Sequence, residues 1–316
     1  MKYVNNMDEN MKENEKIKNN EVDVVIPLYK PGNELAGIID KLSRQTCHIS
    51  NIILINTECE GYDETKMLSW NNEITSKQSE DDRKANIVFK SIQKNQFNHG
   101  LTRNMGMLLS EAEFVVFMTQ DAIPKNKYLI EELLKPFEDE DVYVAYARQL
   151  PRNNCKYVER YVRQFNYPDY DIVKTKETFE QYGIKNIFCS DVCAAYRRDQ
   201  HVKIGGFKKT DFNEDMIYAY DVIMSGKKVY YASKAKVIHS HNYSYIQQFN
   251  RNIQIGRSQK EFDYIFANLK SEDEGIKMLL NGIRYLMKNK KWYYVPDLII
   301  STGFKYAGYQ IGKHGV

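Results

Sequence analysis

The sequence has little that would place the protein in a membrane or an oxidising compartment. No stretch approaches the roughly 18–20 apolar residues of a membrane span, and the polar first twenty residues lack the apolar core of a signal peptide. Five cysteines make an odd count without a paired framework, and the C-x3-C spacing of Cys189 and Cys193 has no second pair to complete a zinc site. These absences favour a reduced, cytoplasmic protein in which residues 1–20 form a disordered leader.

Two common nucleotide-binding signatures are also missing. Neither G-x4-G-K-[ST] nor G-x-G-x-x-G occurs, so ATP hydrolysis and nicotinamide chemistry lose support. The 45 basic and 42 acidic residues nearly balance, which argues against a nucleic-acid partner. A chain of 316 residues with 42% hydrophobic residues suits one large domain plus an appendage.

Short β-branched runs alternate with helical patterns along the first half of the chain. Continuous apolar runs are typical of strands buried on both faces of a parallel sheet, so we predict an α/β fold with flanking helices. The predicted strands are 22–27, 51–56, 86–90, 114–119, 142–149, 187–196, 228–232 and 235–239. The predicted helices are 33–44, 101–109, 127–137, 214–225 and a helical region from 245 onward. Residues 60–84 are predicted to be a polar loop with some helix, and residues 150–186 to be irregular.

Asp121, in the stretch MTQDAIP, follows the fourth predicted strand. Ligands of open α/β sheets bind at the carboxyl ends of parallel strands, so this carboxylate stands where a ligand is expected. The alternative is structural, because a carboxylate here could also cap helix 127–137 or shape the turn before Pro124.

The segment FNHGLTRNMG (97–106) joins the third strand to the next helix. A glycine-containing turn at a helix start offers free N–H groups to an anion, and Arg103 adds a fork of donors for phosphate. An ordinary capped helix with a surface arginine is the alternative.

Glu214 and Asp215 open a helix, where they could act as helix caps or as a general base. His239 and His241 end a strand at two-residue spacing, which predicts opposite faces and only one histidine in a shared site. We select His241 as a metal ligand together with Asp121, although a structural histidine is the alternative. One carboxylate and one imidazole suit Mn²⁺ or Mg²⁺ with nucleotide phosphates completing the shell.

The sequence resembles glycosyltransferase family 2 in four segments and in their order: VVIPLY, FNHGLTRN, FMTQDAIP and GGF…NED…SGKKVYY…HSH. Within that family the chain is most similar to the rhamnosyltransferase-like branch of bacterial polysaccharide biosynthesis. The resemblance implies a GT-A fold over residues 21–245, with a nucleotide half at about 21–125 and an acceptor half at about 126–245. It also implies an inverting transfer of a sugar from a sugar nucleotide.

The resemblance also assigns roles to residues. Asp121 takes the place of the last acid of the family's Asp-x-Asp metal motif, and Asp215 is the base that deprotonates the acceptor, supported by Glu214. The other residues would contact substrates. Those expected to bind the sugar nucleotide are Pro27, Tyr29, Thr57, Glu58, Arg103, Asn104, Gln120 and Asp121. Those expected to border the acceptor are Gly205, Gly206 and Phe207.

Two departures from the family pattern bear on the donor. Thr119 replaces the first acid of Asp-x-Asp, and Asn56-Thr57-Glu58 replaces the usual Asp and Ser after the second strand. The rhamnosyl-like branch tolerates both departures, which favours dTDP-rhamnose over a UDP-sugar as the donor. The resemblance also implies a glycan or lipid-linked glycan as the acceptor. A UDP-sugar transferase, a nucleotidyltransferase and a non-catalytic glycan- or nucleotide-binding relative stay open as alternatives.

The tail, residues 246–316, is predicted to be helical and basic. Residues 275–316 carry seven Lys or Arg and one acid, and Val295, Leu298, Ile299, Thr302, Tyr306 and Tyr309 fall near one helical face. An apolar stripe beside basic residues is typical of a helix lying on a membrane surface, here the inner face of the cell membrane. Packing of that stripe on the catalytic domain or on a second subunit of a homo-oligomer is the alternative.

Overall fold

A computed structural model describes residues 21–62, 65, 85–269 and 271–315. The predicted leader and most of the predicted loop at 60–84 lie outside the described residues. Within the described part, nine strands form one sheet in the order β3-β2-β1-β4-β8-β6-β9-β5, and β7 pairs with β9. The strands are β1 (Val22–Leu28), β2 (Asn51–Thr57), β3 (Asn86–Ile92), β4 (Phe114–Met118), β5 (Ile123–Pro124), β6 (Val142–Leu150), β7 (Ile172–Lys174), β8 (Cys193–Arg197) and β9 (Lys228–Ile238).

The first four strands are parallel neighbours, as the continuous apolar runs predicted. Strand β8 runs antiparallel to β4 and to β6, and β6 is parallel to β9. Six of the nine strands (β1–β4, β6 and β9) therefore run in one direction, while β5, β7 and β8 run against them. This confirms the predicted α/β fold with a mostly parallel central sheet.

Helices cover both faces of the sheet. Their bounds are α1 (Glu34–Ser43), α2 (His99–Leu109), α3 (Leu129–Leu134), α4 (Tyr157–Asn166), α5 (Phe179–Tyr182), α6 (Arg198–Ile204), α7 (Glu214–Met224), α8 (Tyr245–Glu261), α9 (Asp263–Phe266), α10 (Ser271–Lys288) and α11 (Val295–His314). The predicted apolar face of α1 is buried at Leu35, Ile38, Ile39 and Leu42. Two large apolar clusters, one containing Val24 and the other Val25, lie on opposite faces of β1, as strand alternation requires.

One predicted helix and one predicted irregular segment need correction. The predicted helix 127–137 is α-helical only at Leu129–Leu134 and continues as a 3-10 turn over Lys135–Glu138. Pro136 explains the change because its ring nitrogen cannot donate a helical hydrogen bond. Residues 150–186 are not wholly irregular, because they contain the amphipathic helix α4 together with β7 and α5.

The last helix, α11, packs against α8 through glycine. A Cβ at Gly308 would lie 2.3 Å from the carbonyl oxygen of Phe249, and a Cβ at Gly312 would lie 2.1 Å from that of Ile253. Only glycine permits such an approach between the backbones of α8 and α11. The predicted apolar stripe is therefore divided: Leu298 and Tyr309 are buried, whereas Ile299 and Tyr306 remain exposed.

Within the described ranges, none of the helices has the length and apolar character that a membrane crossing requires.

Candidate active site

Asp121 lies in a turn between β4 and β5, and the sheet decides what lies beside it. Ile123 of β5 pairs with Ile238, the last residue of β9, so the chain leaving β9 passes the Asp121 turn. Asp121 Oδ2 lies 3.4 Å from Nε2 of His239 and 3.4 Å from Nε2 of His241. One ligand atom from each of the three residues falls within 4.8 Å of the others.

The expectation that only one histidine could enter this site is wrong. Side-chain alternation holds within a strand, but β9 ends at Ile238 and both histidines follow it. The two imidazole rings meet edge to face with centroids 4.6 Å apart. His239 is therefore a candidate ligand in addition to the predicted pair of Asp121 and His241.

Gln149 sets the tautomer of His239. Its side-chain oxygen accepts a hydrogen bond from Nη1 of Arg163, a group that can only donate. The same oxygen lies 3.0 Å from Nδ1 of His239, so that nitrogen carries the proton. The lone pair of His239 is then at Nε2, which faces Asp121, and this is the arrangement that a metal-binding histidine needs.

The protonation of the cluster also suits a cation. Burial lowers the pKa of His241 to about 4, so the ring is neutral at pH 7. Burial would raise the pKa of Asp121, but a proton on Nε2 of His239, at the place where a cation would bind, outweighs it and holds this pKa well below its ordinary value. An ionised carboxylate beside two imidazoles is a donor set that accepts Mn²⁺ or a similar divalent ion.

Arg152 ties the Asp121 turn to the first helix. Its Nη2 donates to the backbone oxygen of Asp121 at 2.9 Å, and its guanidinium forms a forked ion pair with Glu34 at 2.5 and 2.7 Å. The hydrogen bond from Arg152 lowers the pKa of Glu34, so the fork holds at neutral pH. The turn is thereby fixed relative to α1.

The predicted nucleobase residues occupy the adjacent strand ends. Gln120 donates to the backbone oxygen of Tyr29 at 2.8 Å and accepts from its backbone nitrogen at 2.9 Å, which joins the exits of β1 and β4. Pro27 is the second-last residue of β1. The side chain of Tyr29, just beyond that strand, is 44% exposed. At the end of β2 the buried Thr57 hydroxyl has no hydrogen-bond partner among the described residues. Glu58, next to it, accepts a hydrogen bond from Gln93.

Arg103 is buried with two carboxylates. Its Nε lies 2.6 Å from Asp191 Oδ2 and its Nη1 lies 2.8 Å from Glu214 Oε1. The side chains of the three residues are between 2% and 8% exposed. The guanidinium that the sequence indicated for phosphate therefore holds two acids in place, and its predicted contact with the diphosphate stays a prediction.

Asn104 organises the glycine-containing loop after α6. Its side chain donates to the backbone oxygen of Phe207 and accepts from the Phe207 nitrogen, both at 2.9 Å. Gly205 and Gly206 both have positive φ, and a Cβ at Gly206 would lie 3.2 Å from the Asn104 oxygen. The Phe207 side chain is 3% exposed and packs within an aromatic cluster. A ligand could therefore contact the backbone of this loop but not the phenyl ring.

Asp215 is half-buried beside this charge cluster. Its Oδ2 accepts a hydrogen bond from the backbone nitrogen of Asp191 at 3.2 Å, and its Oδ1 accepts from that of Met216 at 2.8 Å. Burial and the neighbouring charges of Glu214 and Asp191 raise the pKa of Asp215 well above its ordinary value. A raised pKa gives a carboxylate the proton affinity that a general base requires.

Hydrogen bonds connect the two parts of the site. Gln149, which contacts His239, also donates to the Ser190 hydroxyl at 2.8 Å. Ser190 directly precedes Asp191, the residue that contacts both Arg103 and Asp215. The Asp121 cluster and the Asp215 cluster are therefore two ends of one connected site.

Sequence reasoning missed Asp191, His239 and Gln149. Asp191 and Gln149 lie in segments without a recognisable motif, and their roles arise only because β6 and β8 are adjacent. The sequence HSH did signal His239, but both histidines lie beyond Ile238, the last residue of β9, where side-chain alternation no longer holds.

The comparisons with known proteins agree with this geometry. Residues 23–205 match the family described as glycosyl transferase family 2. The chain belongs to glycosyl transferase family 2. The transferase is 32% identical to the O-antigen chain rhamnosyltransferase RfbN of Salmonella typhimurium over 296 residues, which cover 93% of this chain and 90% of RfbN. It is 37% identical to the O-antigen chain rhamnosyltransferase WbaN of Salmonella anatum over 226 residues, or 71% of each chain.

Solved structures share the fold of the transferase. The mannosyltransferase PcManGT from Pyrobaculum calidifontis, in complex with GDP-Man and Mn²⁺, matches with a TM-score of 0.58 at 12% identity over 94% of this chain and 76% of that chain. TarS 1–349 from S. aureus, in complex with UDP-GlcNAc, matches with a TM-score of 0.52 at 14% identity over 93% and 90% of the two chains. These likenesses confirm the predicted GT-A fold, and family membership confirms that the protein is a glycosyltransferase.

Proposed function

We propose that the transferase moves L-rhamnose from dTDP-rhamnose onto a glycan or lipid-linked glycan acceptor in cell-surface polysaccharide synthesis. The observation that supports this most is its identity of 32% and 37% to two relatives named as O-antigen chain rhamnosyltransferases. The proposal includes the division into a nucleotide half at about 21–125, an acceptor half at about 126–245 and a tail at 246–316.

The proposed mechanism is a single displacement with inversion. Asp121, His241 and His239 would hold a divalent ion, Mg²⁺ or Mn²⁺, which supplies Lewis-acid stabilisation of the leaving diphosphate when bound. Asp215 takes the proton from the acceptor hydroxyl as that oxygen forms a bond to the anomeric carbon and the bond to the diphosphate breaks. Glu214 and Arg103 support Asp215, since Arg103 keeps Glu214 and Asp191 in place beside it.

Release of nucleoside diphosphate from a panel of sugar nucleotides tests this proposal. The assay compares Mg²⁺ or Mn²⁺ with a chelator and uses Asp215→Asn as the inactive control, in the presence of glycan acceptors. Turnover of dTDP-rhamnose that requires metal and is lost in Asp215→Asn supports donor, metal and base together. Preference for a UDP-sugar would overturn the donor and keep the mechanism, whereas nucleotide binding without turnover of any donor would favour a non-catalytic relative.

We also propose that the tail contacts an anionic membrane surface at the inner face of the cell membrane. Large side chains at the junction of α10 and α11 are exposed, with Met287 at 59%, Trp292 at 64% and Tyr293 at 50%. Lys288 and Lys290 lie beside them and would complement anionic lipid headgroups.

Sedimentation with lipid vesicles tests the membrane contact. Binding to vesicles containing phosphatidylglycerol, but not to pure phosphatidylcholine, is expected, and Trp292→Ser should reduce it. Equal sedimentation of the variant would contradict the proposal, and a dimer in analytical ultracentrifugation that Trp292→Ser dissociates would assign the same surface to a second copy.

A further inference from the structure

A pocket opens beside the Asp121 cluster, between the chain that follows β9 and the helices α4 and α11. His241 and Tyr243 form one wall, with their rings stacked at a centroid distance of 4.8 Å. Lys156 and Lys305 line the same pocket. The pocket therefore shares His241 with the candidate metal cluster and extends from it towards the C-terminal helix.

The acids around the pocket are already engaged. Glu159 accepts a hydrogen bond from Arg163 Nε at 2.7 Å, and Asp297 accepts one from the Tyr245 hydroxyl. The amide of Asn242 is also used, because it accepts from the backbone nitrogen of Lys156 and donates to the backbone oxygen of Asn154, both at 2.9 Å. Each of these acceptor side chains therefore already has at least one protein donor.

The two ammonium groups are not matched in this way. Among the described residues, the hydrogen-bond partner of Lys156 Nζ is the backbone oxygen of Tyr243, at 3.4 Å. Lys305 makes no hydrogen bond or ion pair with any residue in the part of the chain that the structure describes. Lys305 is half-buried, and burial lowers its pKa although the charges of Glu159 and Asp297 oppose the shift, so a bound anion would further stabilise the charged amine. A pocket with two ammonium groups available to donate, and whose acidic side chains already have protein donors, favours an acceptor-rich ligand such as phosphate.

The position of Lys305 is fixed by the fold. Gly308 and Gly312, one and two turns further along α11, bring its backbone into contact with α8. Tyr157 of α4 stacks on Tyr294 at the start of α11, with centroids 5.1 Å apart and rings 6° from parallel. The C-terminal helix is therefore a wall of the site, and its lysine is held beside His241 and not free on a mobile tail.

We propose that Lys305 and Lys156 form an anion subsite next to the Asp121–His241 cluster, which binds a phosphate group of a substrate. The inference rests on the proposed function, in which one substrate is a nucleoside diphosphate sugar and the other can be lipid-linked. The phosphate would belong either to the diphosphate of the donor or to a phosphate that links the acceptor to its lipid.

Isothermal titration calorimetry with inorganic pyrophosphate in the presence of Mg²⁺ tests the subsite. Lys305→Met is expected to weaken binding about tenfold or more, the size expected for one hydrogen bond to a charged group, and Lys305→Arg to restore most of it. Lys156→Met should weaken binding in the same direction. Lys260→Met, at an exposed lysine of α8, is the matched control and should bind as the wild type does.

Two further ligands distinguish the source of the phosphate. Weaker binding of dTDP to Lys305→Met with unchanged binding of decyl diphosphate assigns the subsite to the donor, and the reverse result assigns it to the acceptor. Unchanged affinity of Lys305→Met and Lys156→Met for all three ligands would overturn the proposal. If Lys305→Met does not fold, Lys156→Met and Lys305→Arg decide.

Failure of the subsite and failure of the proposed function can be told apart. A wild-type protein that turns over dTDP-rhamnose, together with lysine variants of normal affinity, would refute only the subsite. Lysine-dependent pyrophosphate binding in a protein that turns over no sugar nucleotide would refute only the function.

Discussion

Replacement of Arg103 by methionine tests whether this residue is structural or is available to substrate. Methionine keeps much of the side-chain volume but removes the charge that faces Asp191 at 2.6 Å and Glu214 at 2.8 Å. Two buried carboxylates are then left without their cation. Breaking a buried ion pair from one side costs about 3–5 kcal/mol of unfolding free energy, and we expect a loss of that size at pH 8.

The loss should depend on pH in a definite direction. Burial raises the pKa of Asp191 from the ordinary 3.8 to about 6, although Arg103 opposes the rise. The contribution of this group to the free energy of unfolding of the wild type is therefore complete below pH 3.8 and is lost as the pH rises to about 6. Without Arg103 the pKa of Asp191 rises further, and the pKa of Asp215 rises with it. The variant therefore goes on losing stability above pH 6, where the Asp191 contribution of the wild type no longer changes.

Urea unfolding followed by far-UV circular dichroism at pH 5.5 and pH 8 measures both effects. Arg44→Met is the matched control, since Arg44 pairs with Asp40 at 2.7 Å but is 76% exposed, and we expect a change within about 0.5 kcal/mol. A loss below about 1 kcal/mol for Arg103→Met, equal at both pH values, would refute the reasoning. Such a result would return Arg103 to the role of a free phosphate ligand.

Three further predictions concern the helix contact, the metal cluster and the base. Gly312→Ala should lower the free energy of unfolding by about 1–3 kcal/mol, because its Cβ would lie 2.1 Å from the Ile253 oxygen. Gly303→Ala, on the open side of α11, is the control and should not destabilise the protein. Equal melting temperatures of the two variants would contradict this prediction. Gln149→Leu should weaken Mn²⁺ binding about 10–100-fold in a titration followed by electron paramagnetic resonance, because His239 loses the acceptor that sets its tautomer, and an unchanged affinity would remove His239 from the ligand set. The kcat/KM of the wild type should fall as the pH is lowered, beginning well above pH 4, because burial raises the pKa of Asp215 and the base must be ionised; a profile flat down to pH 4 would exclude it.

The sequence by itself determined the sheet and the places where chemistry occurs. Continuous apolar runs such as VDVVIPL need burial on both faces, which predicts parallel strands, and the carboxyl ends of those strands locate Tyr29, Thr57 and Asp121. The buried face of α1 and the start of α7 at Glu214 also followed from periodicity and capping alone. These are local features, because they depend on residues within a few positions of one another.

Only the tertiary structure decided which side chains contact one another in the site. Arg103 meets Asp191 across 88 positions, and Gln149 meets His239 across 90. No local pattern records such contacts, because they depend on the order in which β4, β8, β6 and β9 pair. The tail resembled an appendage in the sequence, yet it supplies Lys305 to the pocket beside His241. Gly308 and Gly312 allow α11 to pack closely on α8, and the sequence does not show that these two helices are neighbours.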